Sequence, residues 1–536
     1  MIAFSCAMAL IQAQRVLTLV DYSYMIENAY RLYLGQIPYK DFVLMYPIGT
    51  FELIALFMKL GGPNEYSILA MQLFCQFLYC IFTYSVLKKI CKNPNQCVVL
   101  FTIVLLSGHA IATNPNYDIL ETISALAAIN IWITARKNAS TIGYLFTGLL
   151  TTSSILFKQN VSLVFIILII ILLFVDYLYK HASLKNTLWG IGTIIFCILF
   201  LLFLCLHSGF SENILNQLFV YPAGERGPFT VALTAVFAFF KKRNLICAIV
   251  ALLIYFTINK MTKKSALALT CSSIWIFFLG PACFAYYKYL SGEDIILYSF
   301  TTSWYYAIIL GLFVIVIDLI RHKYFKEESL ILLLIMLYIG ANITSMGFTG
   351  STYALYPFMA IMLAVSFECY DYVNITSKFT IPVCILLGLV VLFATNVRMH
   401  YIDMSGEINK SVSPKLYGLK APGDYIPRLE NLCSWIKTNV QTDETFVELP
   451  GEDPIYYLTD TIPPLPYFHL NSTMFPYDIE KYAQDCIDKK VTYIIIKEDL
   501  QCKGFINYQN IKSYICDDYT FVEAISNYQI YKFKTL

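Results

Sequence analysis

The sequence predicts a polytopic α-helical membrane protein of about 13 spans, with amphipathic interface helices in the first exterior loop and a small C-terminal exterior α/β domain. Three observations predict this fold class. The composition is too apolar for a water-soluble chain, apolar runs of span length recur along most of the sequence, and the composition changes abruptly after Asn396.

The composition excludes a water-soluble enzyme. Of the 536 residues, 58% are hydrophobic and 14% are charged, and the mean hydropathy is +0.62. Soluble globular chains are about 45–50% apolar and about 25% charged, so a folded interior could not hold this much apolar surface. The net charge of +2 gives no indication of a nucleic-acid partner.

Apolar runs of the length of a membrane span recur through the first three quarters of the chain. A span needs about 20 mostly apolar residues. The candidate spans are 1–20, 66–87, 97–113, 119–135, 141–157, 161–179, 187–206, 244–259, 266–286, 301–320, 328–346, 354–371 and 379–397.

The distribution of Lys and Arg predicts the orientation. Every second loop is short and basic, which is typical of cytoplasmic loops. The opposite loops are longer and poorer in positive charge, although Lys241, Lys242 and Arg243 go against this trend. We therefore expect the segments 21–65 and 207–243, and everything after residue 397, to face the exterior.

The first span is the weakest of the series, because it carries Gln12, Gln14 and Arg15. A signal peptide is the alternative interpretation of this segment. A basic n-region and a small-residue cleavage site are both missing, which favours an uncleaved first span.

Residues 398–536 have the composition of a soluble domain, and residues 1–397 that of a membrane domain. Apolar residues at helical spacing surround Trp435, which predicts a helix there. Residues 445–449 and 491–496 are typical of short buried strands, and residues 477–489 are typical of a helix. This alternation predicts a small α/β domain. One or two disulfides could form among its cysteines, and the spacing does not assign them. These are Cys433, Cys486, Cys502 and Cys516.

The first exterior loop, 21–62, is the most informative segment. From Tyr22 to Tyr33 apolar residues recur with helical period, while Glu27, Asn28 and Arg31 lie on the other face. This pattern predicts an amphipathic helix in the interface plane, ended by Gly35. A second apolar stretch runs from Pro47 to Leu60.

Three segments resemble the polyprenyl-phosphate-sugar-dependent membrane glycosyltransferases, a class that includes protein O-mannosyltransferases and aminoarabinose transferases. The first is Asp21 with its helix and GQIPYKDFVLMYPIGTFELIALFMKLGG, and the second is NYDILETISAL. The third is WIKTNVQTDETFVELPGEDPIYYLTDTIPP. One departure is that aminoarabinose transferases carry Lys-Pro-Pro in the first loop, where this chain has Tyr46-Pro47-Ile48.

The resemblance implies that Asp21 is the general base that takes the proton of an acceptor hydroxyl. An unperturbed aspartate has a pKa near 4, so it is ready to accept a proton at neutral pH. The alternative is a carboxylate that caps the next helix.

Asp118 and Glu121 are three residues apart and share one face at the outer end of a span. Carboxylates at membrane depth are costly and are often functional. We expect Asp118 to act in catalysis and Glu121 in substrate binding. They could position the acceptor or hold a divalent cation beside the phosphate. The alternative is ordinary loop acids at a helix start.

Several cations are candidates to bind the phosphate of the donor. Lys158 separates two spans on the exterior side, where a point charge could meet a phosphate; the alternative is a lysine that only snorkels to the interface. Further candidates to bind the phosphate or the sugar are Lys40 and Asp41 in the first loop and Arg226 in YPAGERGPF.

The predicted function is transfer of a sugar from a polyprenyl-phosphate donor to an acceptor hydroxyl on a lipid, glycan or protein at the exterior face of a bacterial inner or plasma membrane. The alternative is a transporter or flippase of lipid-linked saccharides without chemistry. Transporters often show internal repeats and discontinuous helices, and this sequence shows no convincing repeat. A glycolipid-binding family member without turnover is a third reading.

Overall fold

The computed structural model describes residues 19–109, 117–222, 242–263, 327–346, 355–368, 407–416, 418–470, 478–500 and 507–534, with isolated positions between 268 and 319. The predicted spans 1–20, 266–286, 301–320 and 379–397 lie wholly or mostly outside these residues. Three expectations therefore stay predictions: the role of Arg226 as a ligand, the uncleaved first span, and the total of about 13 spans.

Apolar helices make up most of the described chain. Four of them are long and apolar enough to cross a membrane, namely α3, α5, α7 and α8 below. They occupy predicted span positions. The helices before residue 370 are α1 (Leu19–Tyr33), α2 (Gly49–Gly61), α3 (Glu65–Ile90), α4 (Pro94–His109), α5 (Tyr117–Asn138), α6 (Thr141–Ser153), α7 (Gln159–Leu178), α8 (Leu184–His207), α9 (Ser211–Leu215), α10 (Lys242–Thr262), α11 (Glu327–Met346) and α12 (Tyr356–Glu368).

Side-chain caps begin several of these helices, as their sequences favour. The side chain of Asn64 accepts a hydrogen bond from Ser67 N at the start of α3, and that of Ser140 accepts one from Gly143 N at the start of α6. Gly35 follows the end of α1 and has a φ of 88°. This left-handed backbone conformation is common after a helix and favours glycine.

Polar contacts join the helices at the basic end of the bundle. Lys89 at the end of α3 donates to Thr134 of α5, and Arg136 of α5 lies 3.4 Å from Asp176 near the end of α7. The ends of α3 and α5 that carry Lys and Arg therefore lie together with the end of α7 that carries Asp176. Asp118 and Lys158 lie at the opposite ends of α5 and α7.

The C-terminal region combines helices with a mixed sheet. Its elements are β1 (Ile408–Lys410), β2 (Lys420–Pro422), α13 (Tyr425–Asn439), β3 (Phe446–Leu449), α14 (Ile455–Thr459), α15 (Ile479–Asp488), β4 (Tyr493–Lys497), α16 (Ile511–Ile515), β5 (Tyr519–Ile525) and β6 (Tyr528–Phe533). The four-stranded sheet has the order β3-β4-β6-β5. Strand β3 is parallel to β4, and β6 is antiparallel to both of its neighbours.

The cysteines of this region form no disulfide among the described residues. Cys433 and Cys486 are buried free thiols, and Cys516 is an exposed one. Cys502 lies outside the described residues, so a disulfide that involves it stays a prediction.

Candidate active site

Asp118 and Lys158 form a buried ion pair where α5 and α7 begin. Asp118 lies in the first turn of α5, Lys158 directly precedes α7, and the Lys158 ammonium donates to the Asp118 carboxylate. Both side chains are almost completely buried. Since two isolated buried charges would be costly, each of these side chains depends on the other.

An aromatic pair connects this ion pair to the first loop. The Lys158 ammonium lies 5.7 Å from the centre of the Tyr117 ring. That ring stacks on Tyr46 with 4.2 Å between ring centres, and the Tyr117 hydroxyl is 3.1 Å from the Tyr46 hydroxyl. Lys158, from the segment that precedes α7, therefore places a cation near Tyr46.

Hydrogen bonds from four directions hold the peptide chain around Tyr46. The Tyr39 hydroxyl donates to Tyr46 O at 2.9 Å, and Met45 N donates to the Tyr24 hydroxyl at 3.2 Å. Leu44 N donates to the side chain of Gln217 at 2.8 Å. Gln159, the neighbour of Lys158, donates to Met45 O at 3.4 Å. The loop is thereby fixed against the start of α7.

Helix α1 forms as the apolar period predicts, but its predicted polar face does not meet water. Glu27, Asn28 and Arg31 are at most 2% exposed. Glu27 accepts hydrogen bonds from Tyr457 N, and Arg31 donates to Leu465 O and Pro466 O. The polar face of α1 therefore packs against the C-terminal region instead of meeting water. The place of α1 in the interface plane stays a prediction.

Burial shifts two titratable groups around α1. Desolvation raises the pKa of Glu27 to about 8, although hydrogen bonds from the backbone of Tyr457 and Tyr456 and the charges of Arg31 and Lys415 oppose the shift. Desolvation also lowers the pKa of His469 to about 3. The His469 ring meets the Tyr24 ring edge-on, with 5.5 Å between ring centres.

Asp21 lies within α1, near its first described residue, and its side chain is outside the described residues. Two residues further on, the Ser23 hydroxyl donates to Gly451 O at 3.3 Å. The backbone of this part of α1 therefore lies close to the loop that follows β3. The role of Asp21 as a base stays a prediction.

Glu121 lies deeper than Asp118 and is completely buried. One of its carboxylate oxygens accepts a hydrogen bond of 2.7 Å from the Tyr338 hydroxyl of α11. This contact ties α5 to α11 below the ion pair. Substrate binding by Glu121 stays a prediction.

Lys40 and Asp41 are exposed in the turn that follows α1. The Asp41 carboxylate accepts a hydrogen bond of 2.7 Å from Ile37 N, so it stabilises its own turn. No described hydrogen bond joins either residue to Asp118 or Lys158. Their role as phosphate or sugar ligands stays a prediction.

The described residues contain no group of three His, Cys, Asp or Glu side chains placed to hold a metal ion. Within that part of the chain, Lys158 supplies the positive charge beside Asp118. A divalent cation stays a prediction, because the side chain of Asp21 and residues 110–116 are not described.

Sequence reasoning did not find the tyrosines of this site. Tyr46 and Tyr117 are two of 41 tyrosines, and their stacking joins segments 71 residues apart. Two features of the sequence could have pointed to them. Tyr117 directly precedes Asp118, and Tyr46 is the first residue of the Tyr46-Pro47-Ile48 segment that departs from Lys-Pro-Pro.

These helices and this site define an integral membrane protein. Residues 46–205 match the family model described as dolichyl-phosphate-mannose-protein mannosyltransferase. The match confirms the predicted resemblance over a range that contains Tyr46, Asp118 and Lys158; Asp21, Lys40, Asp41 and Arg226 lie outside it. No curated protein is significantly similar to the chain.

Two solved structures are similar at low identity. One is the oligosaccharyltransferase of Archaeoglobus fulgidus tethered to an acceptor peptide, with 11% identity, a TM-score of 0.45, and coverage of 92% of this chain and 68% of that chain. The other is ArnT from Cupriavidus metallidurans bound to undecaprenyl phosphate, with 8% identity, a TM-score of 0.45, and coverage of 99% of this chain and 96% of that chain.

Proposed function

We propose that this protein is a membrane glycosyltransferase that moves a sugar from a polyprenyl-phosphate donor to an acceptor hydroxyl on the exterior face. One observation carries the proposal: the segment that matches a mannosyltransferase family contains a buried Asp118–Lys158 pair, and the Tyr117 ring connects this pair to Tyr46 of the first loop. The transporter alternative is not favoured, because the matched family transfers sugars.

The chemistry requires a base, an electrophile and a stabilised leaving group. Asp21 takes the proton of the acceptor hydroxyl as its oxygen attacks the anomeric carbon. The bond between that carbon and the phosphate oxygen breaks, and the phosphate leaves with the electron pair. The configuration at the anomeric carbon inverts.

Lys158 stabilises the charge that develops on the leaving phosphate. Its ammonium has three N–H donors, and Asp118 accepts from it. Asp118 holds the lysine in place and orients it toward the first loop. The Tyr117 ring, which stacks on Tyr46, lies beside the same ammonium.

The remaining candidates complete the substrate site. Lys40, Asp41 and Arg226 contact the phosphate or the sugar, and Glu121 supports the site from below. The C-terminal region lies on the exterior and binds the acceptor, which enters beneath it beside α1. The protein resides in a bacterial inner or plasma membrane.

The test is the release of free polyprenyl phosphate from polyprenyl-phosphate sugars by the purified protein with candidate acceptors. We expect release by the native protein, none by Asp21→Asn, and a loss of at least tenfold with Lys158→Met. Lys59→Met, an exposed lysine of α2, is the matched control. Movement of the intact donor across vesicles without release would instead establish the transporter, and full activity of Asp21→Asn would remove Asp21 from the mechanism.

A further inference from the structure

A narrow apolar cavity lies between four helices, away from the candidate active site. Its volume is about 240 Å³, and its walls come from α5, α7, α11 and α12. On α11 it extends from Glu328 to Tyr338, ten residues that span about 15 Å at the rise of an α-helix. A space of this length and volume with mostly apolar walls fits a single hydrocarbon chain.

Aromatic side chains close the cavity at the end nearer to Lys158. The Tyr338 ring lies 4.3 Å from the Phe358 ring and 5.2 Å from the Phe165 ring, measured between centres. The Tyr338 hydroxyl is held by Glu121. This layer separates the cavity from the Asp118–Lys158 pair.

The opposite end of the cavity is polar and lies at the basic ends of the helices. Arg136 and Glu328 are part of the wall there, and Ile90 at the end of α3 completes it. Arg136 pairs with Glu327 and Asp176, which fixes its position. Lys88 and Lys89 in the last turn of α3 are exposed, and so is Lys92, two residues after the end of this helix.

We propose that this cavity holds one acyl chain of an anionic glycerophospholipid from the leaflet at the basic end, with the lipid phosphate beside Lys89 and Arg136. Charge complementarity selects an anionic headgroup, because the exposed side chains of Lys88 and Lys89 carry positive charge at this mouth. The aromatic layer lies between the cavity and Lys158, where the phosphate of the sugar donor binds. The cavity therefore suits a phospholipid better than the tail of the sugar donor.

The test measures phosphatidylglycerol bound to the purified full-length protein, by native mass spectrometry and by lipid extraction. We expect about one tightly bound lipid per chain. Ile335→Trp fills the cavity and lowers the bound lipid at least fivefold, whereas Ile142→Trp, which adds the same ring at a position 69% exposed on α6, leaves it unchanged.

A charge variant keeps the proposal testable if Ile335→Trp fails to fold. Lys89→Glu should lower binding of phosphatidylglycerol at least fivefold without changing binding of phosphatidylcholine, and Lys59→Glu at the other end of the molecule should change neither. Equal binding by all variants would overturn the proposal. Displacement of the lipid by an equimolar amount of undecaprenyl phosphate would also overturn it, since the cavity would then belong to the donor. Neither readout depends on transferase activity.

Discussion

Glu27 and Tyr457 are 430 residues apart, and both carboxylate oxygens of Glu27 lie 3.1 Å from the backbone nitrogen of Tyr457. This contact docks the first described helix onto the loop and helix that follow β3. Lys415 strengthens the same junction, since it donates to Tyr457 O and lies 4.9 Å from the Tyr30 ring. The α1 helix and the C-terminal region therefore pack directly against each other.

The first prediction is that Glu27 makes stability depend on pH. Its pKa is about 8 in the folded protein and 4.5 ordinarily, so the folded state holds the proton more tightly. Stability from this group is complete below pH 4.5 and is lost as the pH rises toward 8, by about 1 kcal/mol per pH unit. Glu27→Gln should flatten the fall of the melting temperature between pH 6.5 and 8.

The melting temperatures are compared above pH 6.5 because His469 changes stability with pH only below that value, and in the opposite direction to Glu27. Because the folded pKa of His469 is about 3, its contribution is present above the ordinary value of 6.5 and is lost as the pH falls. Glu480→Gln, at an exposed position of α15, is the control and should leave the slope unchanged. An unchanged slope for Glu27→Gln would show that Glu27 is not the titrating group.

The second prediction separates the structural role of the Asp118–Lys158 pair from its chemical role. Asp118→Asn or Lys158→Met alone leaves one buried charge without its partner, which should lower the free energy of unfolding by about 3–5 kcal/mol. The double variant removes both charges and should recover most of this loss. Transfer activity should fall at least tenfold in all three.

Thermal unfolding and phosphate release measured on the same samples test this prediction. Lys158→Arg keeps the charge and should retain the stability better than Lys158→Met. Recovery of activity in the double variant would show that the pair only holds α5 and α7 together.

The sequence predicted the helices well because the bilayer imposes a strong pattern. Span 161–179 is the clearest case, since α7 is Gln159–Leu178. The sequence could not show that the polar face of α1 is covered, because the covering residues are more than 400 positions away. The hairpin of β5 and β6 was missed for a different reason. Most of β5 is exposed on both faces, so no alternation of apolar and polar residues marks it.

Both partners of the candidate site were found separately, but their pairing was not. Asp118 lies at the start of α5 and Lys158 at the start of α7, and the chain returns through one helix, α6, between them. Both helix starts therefore lie at the same end of the bundle. That much follows from topology. The contact itself depends on how α5, α6 and α7 pack, and single-residue patterns carry no information about that packing.

The third prediction concerns Lys497, which is buried at the end of β4. Its ammonium lies 2.6 Å from Glu452 and 2.9 Å from Asp453. Burial alone would lower the pKa of Lys497, but the two carboxylates outweigh burial and raise it. Lys497→Met should lower the free energy of unfolding by about 3–5 kcal/mol, because two buried carboxylates lose their cation.

Lys532→Met is the matched control, since Lys532 pairs with Glu444 at 3.0 Å with its side chain 42% exposed. An exposed pair contributes about 0–1 kcal/mol. Chemical denaturation of both variants tests the difference. Equal losses would mean that the Lys497 cluster is not held by charge pairing.

The fourth prediction concerns the close approach of α6 and α8. A Cβ added at Gly148 would lie 2.6 Å from Gly190 O and 2.9 Å from the Thr193 side chain, whereas one added at Gly192 would meet nothing within 4 Å. Small residues let membrane helices pack this closely. Gly148→Ala should therefore force the helices apart and destabilise the protein by about 1–3 kcal/mol.

Gly192→Ala makes the same chemical change on a helix and should stabilise the protein by up to about 1 kcal/mol through helix propensity. Comparison of the two melting temperatures isolates the packing effect, because the propensity gain is common to both. Helix α6 leads directly into the turn that carries Lys158, so Gly148→Ala should also lower transfer activity more than Gly192→Ala does. Equal melting temperatures for the two variants would show that α6 and α8 are not packed backbone to backbone.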